Sequence, residues 1–149
     1  MTDEPCISCI MPTRDRPQFV PLAIEYFQRQ SYAARELIVL DDGDESVAHL
    51  MPPDPRVRYA RLDKRTPLGT KRNLACEMAR GDIIAHWDDD DWMAEWRLAY
   101  QCRTLLDADA DLCGLSNLLF YNPQSAETFR YAYPAREPIW VAGGTFCYQ

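Results

Sequence analysis

Strand-like and helix-like segments alternate along the chain up to about residue 106, and this alternation constrains the fold more than any other feature. The runs at 6–11 and 36–40 are nearly all apolar, as expected of parallel strands that are covered by helices on both faces. Two more strands are predicted at 57–62 and 82–87, with Pro12 ending the first strand. Helices are predicted at 17–30, 46–50, 70–80 and 92–106, with Gly81 as the stop residue of the third.

The pattern changes after residue 106. A strand is predicted at 112–121, a turn at 122–125 and a returning strand at 128–133, which is typical of a β-hairpin. The predicted fold class is therefore α/β, with a mostly parallel sheet flanked by helices and a β-hairpin near the C-terminus.

Two groups of aspartates follow predicted strands: Asp41 with Asp42, and the run from Asp88 to Asp91. Ligands of open α/β sheets bind at the carboxyl ends of the strands. Four adjacent carboxylates repel one another, and a hard divalent ion such as Mg²⁺ or Mn²⁺ would relieve that repulsion and share substrate phosphates. The alternative is a solvated acidic turn that caps the next helix.

The net charge of −7 argues against nucleic acid as a partner, because phosphate-backbone binding needs a basic surface. A basic segment at 56–72 contains Lys71 and Arg72, and it suits either a phosphorylated small molecule or a solvated strand and loop. No apolar run is long enough for a transmembrane segment, and the acidic N-terminus does not resemble a secretory signal. We therefore expect a cytoplasmic protein, and attachment to a membrane surface through a partner stays open.

Several other residues allow both a structural and a functional interpretation. Cys6 and Cys9 have C-x-x-C spacing, but without a second pair they are predicted to be structural thiols rather than zinc ligands. His86 is predicted to be a buried histidine of the sheet. Trp92 and Trp96 are predicted to pack against the sheet, with stacking on a sugar or base as the alternative.

Four separated motifs together resemble family 2 glycosyltransferases, which have the Rossmann-like GT-A fold. Ile-Met-Pro-Thr-Arg-Asp-Arg at 10–16 is similar to the opening strand and turn of the family, and Ile-Val-Leu-Asp-Asp-Gly-Asp at 38–44 to its aspartate pair. Gly-Thr-Lys-Arg-Asn at 69–73, followed by Gly81-Asp82, resembles the Arg-Asn helix and its exit. His-Trp-Asp-Asp-Asp-Asp at 86–91 resembles the Asp-x-Asp-Asp element.

The resemblance implies a role for each matching residue. The implied donor-binding residues are Pro12, Thr13, Arg16, Asp41, Asp42, Arg72, Asp88 and Asp89. The implied metal ligands are Asp88 and Asp90, and the implied cofactor is Mn²⁺ or Mg²⁺. Asp89 stands where the family often has a small residue, which leaves the ligand assignment ambiguous.

The resemblance also implies a function: metal-dependent, inverting transfer of a sugar from a nucleotide-diphospho-sugar, most simply a UDP-sugar, to a hydroxyl of a saccharide or lipid acceptor. The base motif of the family follows a glycine-rich stretch like Gly143-Gly144, and neither Glu127 nor Glu137 matches it. Residues 1–149 are therefore expected to form a single domain, which is incomplete if the family pattern holds, and self-association through an uncovered edge is one expectation.

Three alternatives remain open: a module that binds donor without efficient transfer, a nucleotidyltransferase, and a non-catalytic interaction module. The nucleotidyltransferase is disfavoured because no glycine-rich phosphate loop follows the first strand, and failure to bind any nucleotide would favour the interaction module. A dinucleotide-binding fold is disfavoured because G-x-G-x-x-G is missing there.

Overall fold

A six-stranded sheet forms the centre of the computed structural model, which describes residues 4–134 and 140–149. The strands in chain order are β1 (Ile7–Thr13), β2 (Arg35–Asp41), β3 (Val57–Arg61), β4 (Ile83–His86), β5 (Leu112–Cys113), β6 (Asn117–Asn122), β7 (Glu127–Ala132) and β8 (Cys147–Tyr148). The order across the sheet is β3-β2-β1-β4-β8-β5, and β6 pairs with β7 in a separate hairpin. The predicted fold class, an α/β protein with a mostly parallel sheet and a late hairpin, is confirmed.

The four strands β3, β2, β1 and β4 are parallel, and β1 lies between β2 and β4. Every residue of β1 and β2 is buried, which explains the apolar runs within both strands. The predicted end of β1 at Pro12 is wrong: the strand continues to Thr13, with Pro12 in register with Leu40. Proline removes one N–H donor, and its φ is compatible with an extended strand.

Helices cover the two faces of the sheet unequally. The helices are α1 (Val20–Gln28), α2 (Leu68–Met78) and α3 (Arg97–Ala108). Phe27 of α1 and Leu98 of α3 belong to one hydrophobic cluster with Cys9 and Met11 of β1. Ala75 of α2 packs on the other face, in the cluster of Ile10. Since alternate residues of a strand point to opposite faces, this division follows from the sequence of β1.

Two predicted helices differ clearly from the structure, whereas α1 and α2 are shifted from their predicted ends by two or three residues. The helix predicted from residue 92 begins at Arg97, because the carbonyls of Ala94 and Glu95 accept hydrogen bonds from Gln30 Nε2 (2.7 Å) and the Ser31 backbone N–H (2.8 Å). The segment predicted as a helix at 46–50 is a single 3₁₀ turn at Ala48–Leu50.

Gly81 has a different role from the one predicted. Helix α2 already ends at Met78, so Gly81 is not its stop residue. A Cβ on Gly81 would lie 2.5 Å from the backbone oxygen of Cys6. Glycine is needed there because the chain passes close to the start of β1 as it enters β4.

The strand predicted at 112–121 is also wrong, since it is two strands in two different sheets. Strand β5 pairs with β8, and β6 begins three residues after Gly114. A Cβ on Gly114 would lie 2.9 Å from Val141 Cγ2, so the chain bends there against a neighbouring segment. Strand β8 inserts antiparallel between β4 and β5. Among the described residues, no helix combines the length and apolar composition needed to cross a bilayer.

Candidate functional site

The carboxyl ends of β2, β1 and β4 lie side by side at one edge of the sheet. Strand β1 ends at Thr13, β2 ends at Asp41, and β4 ends at His86, two residues before Asp88. The two aspartate groups that the sequence singled out are therefore neighbours, on either side of Thr13. This edge is where ligands bind in open α/β sheets.

The aspartates after β2 are buried and fully engaged. Asp41 accepts hydrogen bonds from the backbone N–H groups of Gly43 (2.8 Å) and Val47 (3.1 Å) and from the Tyr59 hydroxyl (2.8 Å). Arg61 adds an ion pair to Asp41 at 3.3 Å. These bonds close the loop after β2 and tie it to β3.

Asp42 is held by Lys71 of α2. The distance from Lys71 Nζ to Asp42 Oδ1 is 2.6 Å, and both side chains are buried. The Thr66 backbone N–H donates to the other Asp42 oxygen at 2.7 Å. Burial alone would raise the pKa of Asp42, but the hydrogen bonds from Lys71 and Thr66 lower it below its ordinary value. The donor-binding role that the resemblance implies for Asp41 and Asp42 stays a prediction.

Three of the four aspartates after β4, namely Asp88, Asp89 and Asp90, are held by side chains from other parts of the chain. Thr13 Oγ1 donates to Asp89 Oδ2 at 2.6 Å. Arg16 reaches Asp89 Oδ1 (3.0 Å) and Asp90 Oδ2 (2.8 Å) through its Nη1. On the opposite side, Arg72 Nη2 donates to Asp88 Oδ1 at 2.9 Å. Five of the eight predicted donor-binding residues therefore make direct contacts with one another at this edge. Thr13, Arg16 and Asp89 form one group, and Arg72 and Asp88 form a separate pair.

The charges of this aspartate run are only partly compensated. Burial raises the pKa of Asp89 above its ordinary value, although Thr13 and Arg16 act in the opposite direction. Burial, followed by repulsion from Asp88 and Asp90, raises the pKa of Asp91. The run therefore retains an unfavourable concentration of negative charge that a cation would relieve.

The run suits a metal that arrives together with a diphosphate. Asp88 and Asp90, the predicted ligands, have side chains that are 30% and 45% exposed, and they offer the oxygen atoms that Mg²⁺ and Mn²⁺ prefer. No three acidic, histidine or cysteine side chains converge on one point within residues 4–134 and 140–149. Magnesium sites commonly use one or two carboxylates plus substrate phosphates, so these residues fit such an ion.

The other candidate residues have mixed outcomes. His86 is buried, as predicted. Pro12 is buried inside β1, and the donor-binding role that the resemblance implies for it stays a prediction. Trp92 and Trp96 do not pack against the sheet: they are 69% and 58% exposed, because the turn before α3 directs them outward. Glu127 is exposed on β7, and Glu137 lies outside the described residues.

The cysteines and the basic segment behave as structural elements. Cys9 is fully buried, Cys6 is half-buried, and both are free thiols, in agreement with the structural interpretation. Five basic residues of the segment 56–72 form ion pairs with carboxylates. These residues are Arg56, Arg58, Arg61, Lys71 and Arg72. The interpretation of this segment as a solvated strand and loop is therefore only partly correct.

Sequence reasoning missed three residues that shape this edge. Lys71 was noted only as one basic residue among several, and nothing in the sequence pairs it with Asp42. Arg97 is buried beneath the run and donates to the backbone oxygen of His86 at 2.8 Å. Gly144 packs so closely on Asp88 that a Cβ would collide with its Oδ2. These contacts span long separations in the chain, which local patterns do not reveal.

Solved structures with the same architecture define the class of this fold. The mannosyltransferase PcManGT of Pyrobaculum calidifontis, solved with GDP-Man and Mn²⁺, matches with a TM-score of 0.70 and 20% identity, over 83% of this chain and 37% of that chain. Staphylococcus aureus TarS 1–349, solved with UDP-GlcNAc, matches with a TM-score of 0.65 and 18% identity, over 72% of this chain and 33% of that chain. The fold is that of GT-A glycosyltransferases.

The model of the family "Glycosyl transferase family 2" matches residues 8–136 of the sequence, so the chain belongs to that family. The protein WcaA of Escherichia coli (strain K12), whose name places it among glycosyl transferases, is 37% identical over 101 residues, which cover 64% of this chain. That match covers 35% of WcaA. The chain spans 28% to 46% of the length of the first curated relatives.

Proposed function

We propose that this chain binds a nucleotide-diphospho-sugar and serves a metal-dependent, inverting glycosyl transfer to an acceptor hydroxyl. One observation carries the proposal: the aspartates after β4 meet Arg16 on one side and Arg72 on the other, at the edge where the strands end. Alternating carboxylates and arginines suit a diphosphate that arrives with a divalent ion. The complexes of PcManGT with GDP-Man and Mn²⁺ and of TarS with UDP-GlcNAc support this choice of ligand class.

The residues of this chain divide the work of binding. Asp88 and Asp90 would hold the ion, and a bound ion would neutralise the charge that develops on the diphosphate leaving group. Arg16 and Arg72, each now paired with a carboxylate, can turn a guanidinium toward phosphate oxygens once the carboxylates bind the ion. Asp42, Lys71 and Asp41 keep the neighbouring loop in place through buried contacts.

A calorimetric titration tests the proposal. UDP is titrated into the protein with Mn²⁺, and again with EDTA, and GDP and dTDP are titrated in parallel. We expect binding that needs Mn²⁺ and that weakens at least about tenfold in Asp90→Ala, because one carboxylate ligand is lost. Asp107→Ala is the matched control, since it removes an exposed carboxylate from α3.

The proposal fails if none of the three nucleotides binds under either condition. It fails in its metal requirement if EDTA leaves the affinity for UDP unchanged. Equal weakening in Asp90→Ala and Asp107→Ala would point to a general charge effect instead of a specific ligand.

A further inference from the structure

A cavity of about 470 Å³ opens between α2 and β8, on the far side of Asp88 from Thr13. Its lining includes Arg72, His86, Phe146 and Tyr148. Strand order places it beyond the aspartate run: Asp41 ends β2, Thr13 ends β1, and the cavity lies past β4 toward β8. A ligand that extends from Asp41 across the aspartate run would therefore reach this cavity with its other end.

The imidazole of His86 is held in one orientation and one tautomer. Its Nδ1 lies 2.6 Å from the backbone oxygen of Gly143, and a carbonyl oxygen can only accept, so Nδ1 carries the hydrogen. The rings of Phe146 and Tyr148 flank the imidazole with centroids at 5.4 Å and 5.7 Å. In the neutral ring the lone pair is consequently on Nε2, which makes no hydrogen bond to any described residue.

Arg72 also lines this cavity, and one of its nitrogen atoms has no hydrogen-bond partner within residues 4–134 and 140–149. Its Nη2 is bound to Asp88, but its Nε is buried and has no partner among the described residues. Buried polar groups are normally hydrogen-bonded, and one left without a partner has a free-energy cost. The cavity thus presents one free acceptor, His86 Nε2, next to two aromatic rings, and the unpaired donor of Arg72 is buried in its wall.

We propose that this cavity receives the sugar of the nucleotide-sugar donor, and that His86 Nε2 accepts a hydrogen bond from one sugar hydroxyl. The inference rests on the proposed function and adds a residue that selects the sugar. A pyranose offers hydroxyls that both donate and accept, together with C–H faces that pack on aromatic rings. Because the tautomer is set by Gly143, Nε2 accepts from a hydroxyl at one position and discriminates against a sugar that lacks a donor there.

The test compares nucleotide sugars with their own nucleotides. UDP-glucose, UDP-galactose, UDP-N-acetylglucosamine and GDP-mannose are titrated with Mn²⁺, alongside UDP and GDP. We define the sugar advantage as the Kd of the nucleoside diphosphate divided by the Kd of the nucleotide sugar. Two variants remove Nε2 in different ways: His86→Phe keeps an aromatic ring, and His86→Asn keeps a donor for the Gly143 oxygen.

We expect both variants to bind UDP or GDP within about twofold of the wild type and to lose about tenfold in sugar advantage for the preferred sugar. Unchanged nucleotide affinity shows that the variants are folded. His49→Phe, at an exposed histidine of the 3₁₀ turn, is the matched control and should change neither quantity.

Deoxyfluoro analogues of the preferred nucleotide sugar identify the hydroxyl. Fluorine replaces the hydroxyl without supplying a hydrogen, so fluorination at the position that meets Nε2 should cost the wild type about tenfold. The same analogue should cost His86→Asn nothing further, since the partner is already gone.

The outcomes separate this inference from the proposed function. If His86→Phe and His86→Asn bind the nucleotides normally and keep the same sugar advantage as the wild type, the inference is overturned and the proposed function stands. The inference is also overturned if fluorination at every ring position leaves the affinity of the wild-type protein unchanged. This second test does not depend on whether the variants fold. Failure of all the nucleotides to bind the wild type overturns both.

Discussion

The aspartates after β2 and those after β4 occupy equivalent places in the sequence but use their oxygens differently. The side chains of Asp41 and Asp42 have no exposed surface, and their partners include backbone amides of the loops around them. The side chains of Asp88 and Asp90 are 30% and 45% exposed, and the contacts described for them are to arginines. The first pair is built into the scaffold, and the second faces solvent.

This difference shows how one sequence feature can have two physical functions. A carboxylate with every oxygen engaged inside the protein can move only if the loops around it move too. A partly exposed carboxylate whose described contact is with one arginine can exchange that partner for a ligand at little structural cost. We therefore expect substitutions after β2 to affect folding first and substitutions after β4 to affect ligand binding first.

The largest expected effect is on stability. Asp42→Ala should lower the free energy of unfolding by about 3–5 kcal/mol, because it leaves Lys71 as a buried, uncompensated charge. Asp90→Ala should lower it by less than about 1 kcal/mol, since its ion pair with Arg16 is exposed. Urea unfolding followed by circular dichroism measures both. Similar losses in the two variants would remove the distinction between the clusters.

A smaller effect is expected on binding from a single methyl group. Gly144→Ala places a Cβ against Asp88 Oδ2, and this carboxylate must shift because it is the flexible partner in the contact. We expect the affinity for UDP with Mn²⁺ to fall several-fold, up to about tenfold, with the unfolding free energy nearly unchanged. Gly143→Ala is a sharp control, because a Cβ there meets nothing within 4 Å. Equal affinities in the two variants would exclude Asp88 from the site.

The smallest expected effect is on the pH dependence of stability in the metal-free protein. The pKa of Asp42 is lowered from its ordinary value of 3.8, so its stabilising contribution is present above that value and is lost as the pH falls through the folded-state pKa. The pKa of Asp89 is raised from 3.8, so its favourable contribution is present below 3.8 and is lost as the pH rises through the folded-state pKa.

Two neutral variants separate these contributions. At pH 7, Asp89→Asn should be somewhat more stable than the wild type and Asp42→Asn less stable, and both differences should shrink below pH 3.8. The check is to measure the unfolding free energies of the wild type and both variants in EDTA at several pH values between 3 and 7. Differences of the same sign at pH 7 would contradict the assignment.

The sequence predicted the alternating strands and helices well because the residue patterns that indicate them are local. Buried parallel strands such as β1 and β2 favour a run of apolar residues along most of their length, and this pattern is visible in the chain itself. The prediction failed where a distant segment decides the structure. Gln30 and Ser31 keep the turn before α3 out of the helix, and Val141 lies against the bend at Gly114.

The candidate site was likewise predicted in part from the sequence and decided in part by distant segments. The resemblance placed Thr13, Arg16, Arg72, Asp88 and Asp89 at one site, and the structure brings them to one edge of the sheet. It did not reveal that Lys71 holds Asp42, or that Trp92 is exposed. Burial and partners depend on which surfaces meet after folding, and residues far apart in the chain supply those surfaces.

By itself, the amino-acid sequence determined the α/β class, the parallel core and the aspartates that follow two of its strands, because strand periodicity and strand-end chemistry are properties of short segments. Only the tertiary structure decided that Asp41 and Asp42 are buried whereas Asp88 and Asp90 keep exposed surface. It also decided that β8 inserts beside β4, which brings Phe146 and Tyr148 against His86. The physical reason is that exposure, ion pairing and cavities arise between segments, and the folded chain alone establishes which segments are neighbours.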